Sequence, residues 1–175
     1  MATESDDFDV TLYREASNRR QKEIFREVYE RHYPRVYRLA YSLCGQVAEA
    51  EDIVQEVFIA TLKGLPNFKG ESRLGTWLYR ITTLVSGRFI ARRSRNQSQE
   101  IDLERLSSSA MADSELLANQ VVQAISKLSF PLRTVLSLVA IEGLSHQDAA
   151  EVLGLPVGTI GSRLHTARKQ LAQHL

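Results

Sequence analysis

The sequence predicts an all-α protein: two small helical domains joined by a flexible linker, the C-terminal one a helix-turn-helix. Apolar residues recur at helical spacing through both halves, and no stretch shows convincing strand alternation. Between about Ser94 and Asp113 the periodicity fades into a polar, serine-rich run. Near the C-terminus, a glycine and a proline stand between two amphipathic segments in the order that stops one helix and starts the next. The expected boundaries are 1–19 for an acidic leader, 20–94 for the first domain, 95–113 for the linker and 114–175 for the second domain.

In chain order, the leader is acidic from Glu4 to Asp9 and reads as a regulatory or disordered segment. Phe25, Tyr29, Val36, Leu39 and Leu43 then mark a helical stripe. Pro34 lies within it and predicts either a kink or a restart with proline in the first turn. AEAEDIVQEVF, Ala48 to Phe58, carries four carboxylates inside a run, Ser42 to Leu62, with no Lys or Arg. Asp52, Gln55 and Glu56 fall at i, i+3 and i+4 on one helix face, Ile59 joins them a turn later, and Val54, Val57, Phe58 and Thr61 face inward. Trp77, Leu78, Ile81 and Leu84 form the next stripe, which leads into the cluster Arg88, Arg92, Arg93 and Arg95. Beyond the linker, Val121, Val122, Ile125 and Leu128 open the second domain.

GLSHQDAAEVLGLPVGTIGSRLHTARKQL, Gly143 to Leu171, is the most specific stretch. Ser145 can cap a helix whose Asp148 favours its positive end, with Ala149, Val152 and Leu153 buried. Gly154 supplies the left-handed stop, and Pro156 fits the first turn of a second helix. Val157, Ile160, Leu164, Ala167 and Leu171 share that helix's core side. Opposite them lie Gly158, Thr159, Ser162, His165, Thr166 and Lys169, flanked by Arg163 and Arg168. Short polar groups admit base edges while cations at the margins reach phosphate, the layout a major-groove helix needs.

The formal charge of +1 hides this segregation: 22 basic side chains against 21 acidic ones, with acid-free zones at Gly87–Gln99 and Val152–Leu175. A single cysteine, Cys44, can form no internal disulfide, which fits a reducing cytoplasm, and it reads as a buried small hydrophobe. No apolar run approaches the ~20 residues that span a bilayer, and the first residues lack the plan of a secretion signal, so no membrane insertion is expected. His32, His146, His165 and His174 show no metal-ligand spacing, so neither a metal nor a cofactor is expected.

HYPRVYRLAYSLCG, AEDIVQEVFIATLKGLPNFKGES, TWLYRI, a linker and GLSHQDAAEVLGLPVGTIGSRLHTAR, in that order, resemble the bacterial RNA polymerase sigma factors of the extracytoplasmic function (ECF) group. The likeness runs from about Arg31 to Leu171. It implies a non-enzymatic subunit that binds core RNA polymerase, recognises the minus 10 and minus 35 promoter elements and starts transcription. By resemblance, Asp52, Gln55, Glu56 and Ile59 dock on the beta-prime clamp, and the C-terminal domain meets the beta flap. PNFKGESRLGTWLYRI corresponds to the loop and helix that melt the minus 10 element and capture an unstacked base. That assigns Phe68, Lys69, Gly70, Ser72, Trp77, Tyr79 and Arg80 to minus 10 DNA, with Arg88, Arg92 and Arg93 on nearby phosphate. The recognition arc of the second domain would take the minus 35 element. An anti-sigma protein joins the candidate partners, because many relatives are held inactive by one.

Several positions depart from the family pattern. After WLYRI the family usually has Asn and then Asp, where this chain has Leu84 and Arg88. A base is common where Gly161 stands and an Arg where Thr166 stands, and LSFPLR replaces a Leu-Pro opening. The two promoter elements lie two and a half duplex turns apart, roughly 85 Å at ~34 Å per turn. Twenty linker residues reach at most about 65 Å, and the domain radii add about 13 Å each. A relaxed coil of that length spans only about 25 Å, so the free chain is expected to be compact or variable, with extension requiring polymerase. QEIDLE, Gln99 to Glu104, reads either as a nucleic-acid mimic or as a plain acidic linker. The alternative to a sigma factor is a dimeric helix-turn-helix regulator with a helical sensor domain, which would bind a palindrome without polymerase.

Overall fold

A computed structural model describes residues 8–97 and 123–173. The linker core, including QEIDLE, and residues 114–122 lie outside the described residues. The described residues are helical, with no strand among them.

The first domain is built on α1 (Val10–Glu15), α2 (Asn18–Cys44), α3 (Val47–Gly64) and α4 (Leu74–Gln97), with a 3-10 turn at Leu65–Asn67. Ser17 caps α2, and Gly45, at φ 76°, ends it by donating its N–H to the Tyr41 carbonyl. A left-handed glycine reverses the chain at low steric cost, so α3 starts two residues later and packs back along α2. The central packing is between Val36, Ala40, Ile53, Val57, Leu78 and Val85, all nearly inaccessible to solvent.

Of the two outcomes open at Pro34, the restart does not occur: α2 runs through it. Pro34 and Glu30, whose carbonyl loses its usual partner, both face solvent, so water can satisfy the freed acceptor. Four tyrosines one turn apart line the α2 flank nearest α3. Their ring centroids follow at 5.3, 6.1 and 6.3 Å, and Tyr29 meets Phe58 of α3 at 4.6 Å.

The domain also begins earlier than residue 20. Asp9 caps α1 through its carboxylate, and Tyr13, 3% exposed, enters the first core. The end of the leader is therefore structural.

The second domain contains a helical turn at 123–126, then α5 (Phe130–Leu136), a π turn at Ser137–Ile141, α6 (His146–Leu153) and α7 (Val157–Leu171). Pro131 sits in the first turn of α5, where its missing donor costs nothing. Leu138, Ala149, Val152, Ile160, Leu164 and Ala167 pack at the centre. Ser145 caps α6 by accepting from Asp148 N at 3.0 Å, and its hydroxyl returns a bond to the Asp148 carboxylate at 2.6 Å. Gly154, at φ 62°, closes the helix. Pro156 stands at the cap of α7, one position ahead of its first turn, and Val157 is 39% exposed rather than buried.

The two domains are closed on each other. Leu39, Leu43 and Tyr79 of the first domain belong to the core of the second. The Glu142 carboxylate, with none of its side chain exposed, accepts from Arg38 Nε at 2.6 Å, Arg38 Nη2 at 2.7 Å and the Tyr79 hydroxyl at 2.8 Å. The buried Arg133 guanidinium donates to the carbonyls of Leu43, Ser126 and Leu128. Phe130 lies over Gly87, where an added Cβ would stand 3.2 Å from the ring.

Candidate functional site

The acidic face lies on α3. Asp52, Gln55 and Glu56 are exposed, and Ile59 beside them is 53% exposed, while Val54, Val57, Phe58 and Thr61 are buried. Among the described residues, no basic side chain pairs with Asp52 or Glu56. Glu49, on the same helix, turns instead to Arg93 at 2.7 Å. Unneutralised carboxylates around an exposed apolar side chain form a surface suited to a cationic protein partner.

A second site forms where the loop after α3 meets α4. Phe68, Lys69, Ser72, Trp77 and Arg80 line one cleft of about 540 Å³, with Glu151 of α6 on its far wall. Lys69 and Gly70 are exposed at its lip, and Gly70 adopts φ 71°. Trp77 is half-buried across Gly64, where an added Cβ would come within 2.9 Å of the indole. Phe68 is 7% exposed, its ring held between Phe8 at 6.2 Å and Trp77 at 4.9 Å. It shapes the cleft from within instead of offering a free stacking face.

Tyr79 is also buried, in the seam between the domains. Burial raises its phenol well above the ordinary value, and the adjacent Glu142 charge adds to the shift. The same carboxylate raises the Arg38 guanidinium through their hydrogen bonds, against the opposing effect of burial. Arg80 donates to the Val152 and Glu151 carbonyls at 3.3 and 3.4 Å, at the negative end of α6. Arg88 and Arg92 are exposed on α4, but Arg93 is taken up by Glu49 and the Cys44 carbonyl. The structure thus brings the loop residues, Trp77 and Arg80 together, and puts Tyr79 and the distal arginines elsewhere.

The third site is the outer face of α7. Gly158, Ser162, His165, Thr166, Arg168 and Lys169 are exposed, and Thr159 and Arg163 partly so. The Ser162 and Thr166 hydroxyls bond back to the Thr159 and Ser162 carbonyls at 3.1 and 3.0 Å, which keeps the middle of the face low. A Cβ on Gly158 or Gly161 would meet nothing within 4 Å.

Two family models match this arrangement: sigma-70 region 2 over residues 28–96 and sigma-70 region 4 over residues 118–171. The chain belongs to the ECF sigma factors. It is 32% identical to the ECF sigma factor SigW of Bacillus subtilis over 170 residues, 88% of this chain and 90% of that protein. It is 33% identical to the ECF sigma factor SigE of Mycolicibacterium smegmatis over 156 residues, 85% of this chain and 60% of that longer protein. Two solved structures share the fold at 25% identity. One is RpoE bound to the anti-sigma factor NepR from Bartonella quintana, with TM-score 0.74 over 87% of this chain and 96% of the other. The other is CnrH bound to the cytosolic domain of CnrY, with TM-score 0.71 over 94% and 92%.

As a sigma factor the protein is a non-catalytic subunit that binds RNA polymerase and promoter DNA to initiate transcription. Region 2 corresponds to most of α2 together with α3 and α4, and region 4 to the helix-turn-helix domain. No helix among the described residues is long and apolar enough to cross a membrane. Residues that periodicity passed over hold the sigma factor in its closed shape: Arg38, Glu142 and Arg133 join its regions, and Arg14 ties α1 to the region 2 loop. The one available signal was an Arg inside the apolar turn LSFPLR.

Proposed function

We propose a division of labour by charge. The acidic face of α3 docks on the beta-prime clamp of core polymerase, the cleft beside Trp77 captures an unstacked minus 10 base, and α7 enters the major groove of the minus 35 element. The observation that carries this reading is the unneutralised Asp52, Gln55, Glu56 and Ile59 face, separate from the cationic face of α7. Nucleic acid would be repelled by the former and attracted by the latter.

In the closed arrangement Tyr79 and Arg80 are engaged by the helix-turn-helix domain. Minus 10 recognition through α4 therefore requires the domains to part, and clamp and flap docking at two separate points on polymerase supplies the energy for parting. An anti-sigma protein is a further proposed partner, one that would bind the closed form, since the structural neighbour RpoE was solved with the anti-sigma factor NepR. Its location follows from that of polymerase: the cytoplasm.

The test is charge reversal. The double variant Asp52→Lys, Glu56→Lys should keep its helicity and melting temperature yet lose core-polymerase binding in a titration with fluorescent sigma factor. Retained binding at wild-type affinity would remove this face from the interface.

A further inference from the structure

The short helix α1 precedes the region 2 match, which starts at residue 28, and no role is assigned to it by that likeness. Together with Phe8 just ahead of it, it nevertheless touches the loop between α3 and α4 through three residues. Arg14 Nε donates to the Pro66 carbonyl and Arg14 Nη2 to the Phe68 carbonyl, both at 2.9 Å. The Phe8 ring packs on Phe68, and Val10 stands beside Gly70, within 3.6 Å of where a Cβ would project.

The helix is itself held in place. Asp9 Oδ1 accepts from Thr11 N and Leu12 N at 2.9 and 3.0 Å, Tyr13 is buried, and Gln21 Nε2 donates to the Tyr13 carbonyl at 3.1 Å. Its single arginine therefore projects from an anchored base.

We propose that Arg14 is a positioning residue for strand opening: it holds the minus 10 loop in its base-receiving shape before DNA arrives. This rests on the reading that the cleft beside Trp77 captures an unstacked base. The Pro66 and Phe68 carbonyls lie past the end of α3, where no further helical N–H reaches them. A planar guanidinium can bridge two acceptors at once and so fixes the turn between them, whereas an ammonium cannot match that fork. Otherwise the loop is pinned by Phe68, through its ring and its N–H to the Leu65 carbonyl at 3.2 Å, while Lys69, Gly70 and Glu71 remain exposed. Without the bridge, the cost of ordering that backbone would fall on DNA binding itself.

The experiment uses the full chain with core polymerase, and a promoter selected from a random library by the wild-type holoenzyme. Fork-junction DNAs carry 2-aminopurine at successive non-template positions of the minus 10 element. Wild type should brighten one position on binding. Arg14→Ala should lose most of that signal and bind the fork about tenfold more weakly, the scale of one charge-assisted hydrogen bond. Core-polymerase affinity and binding to a minus 35 duplex should stay within about twofold, since neither touches this loop. Arg14→Lys, which keeps the charge and the stem, should fail like Arg14→Ala, and hydrogen exchange should quicken across residues 66–72 alone. If Arg14→Ala loosens the whole domain, the lysine variant carries the comparison.

Full rescue by lysine would overturn the proposal in favour of a simple phosphate contact, as would wild-type capture by both variants. Absence of any bright position with wild type would instead defeat the cleft reading, and the positioning role with it.

Discussion

Gly64 shows how one missing side chain sets the position of the region 2 aromatic. A Cβ there would stand 2.9 Å from Trp77 Cζ2, closer than real contacts allow, so the indole rests on the α3 terminus only because that residue is glycine. Trp77 is the only tryptophan, so tryptophan emission reports on the surroundings of this one ring. Gly64→Ala should displace the ring, shift its emission and lower stability by about 1–3 kcal/mol, the usual penalty for overpacking. An unchanged spectrum and melting temperature would mean that the contact relaxes freely. Aromatic identity was visible in the sequence, but depth was not. Phe68, Trp77 and Tyr79 all suited a base-stacking role by type, yet one is sealed in the loop, one lies half-open across a glycine and one is in the interdomain seam.

At the level of elements, what could be read in advance was what the chain encodes locally. The cap at Ser145, the left-handed stop at Gly154 and the buried stripe Ile160, Leu164, Ala167 all rest on residues within a turn or two of each other. Helix α1 escaped notice because six residues with one buried side chain, Tyr13, generate no periodicity. Pro34 is the opposite case: of the kink and the restart its local preference allows, the restart does not occur, because packing on both sides of it carries α2 through. The outer face of α7 leads to a prediction at this scale. Arg163 and Arg168 flank that face, so replacing either with alanine should weaken binding to a minus 35 duplex across all sequences. The slope of log affinity against log salt should become shallower by about one unit per lost phosphate contact. Loss of sequence discrimination with an unchanged slope would instead place the arginine on a base edge.

The closed form of the whole molecule depends on pairings that no local pattern contains: Arg38 and Glu142 are 104 residues apart. The π turn at Ser137–Ile141 inserts an extra residue into the helical path immediately before Glu142, whose N–H donates back to the Ser137 carbonyl at 2.9 Å. The carboxylate then sits with three donors from the other domain around it. Its removal leaves Arg38, half exposed, free to find water, but strands the Tyr79 hydroxyl in the seam. The net loss should be on the order of 2 kcal/mol, which shifts a closed-to-open ratio by about thirtyfold. Glu142→Ala should therefore raise the radius of gyration in solution scattering. It should also strengthen polymerase-free binding of minus 10 single strands, because the same change releases Tyr79 from the seam and loosens Arg80 from α6. The two readouts separate the explanations. A larger radius without stronger DNA binding would mean that closure hides nothing the strand uses, while no change in either would mean that the apolar contacts of Leu39, Leu43 and Phe130 hold the domains together without the carboxylate.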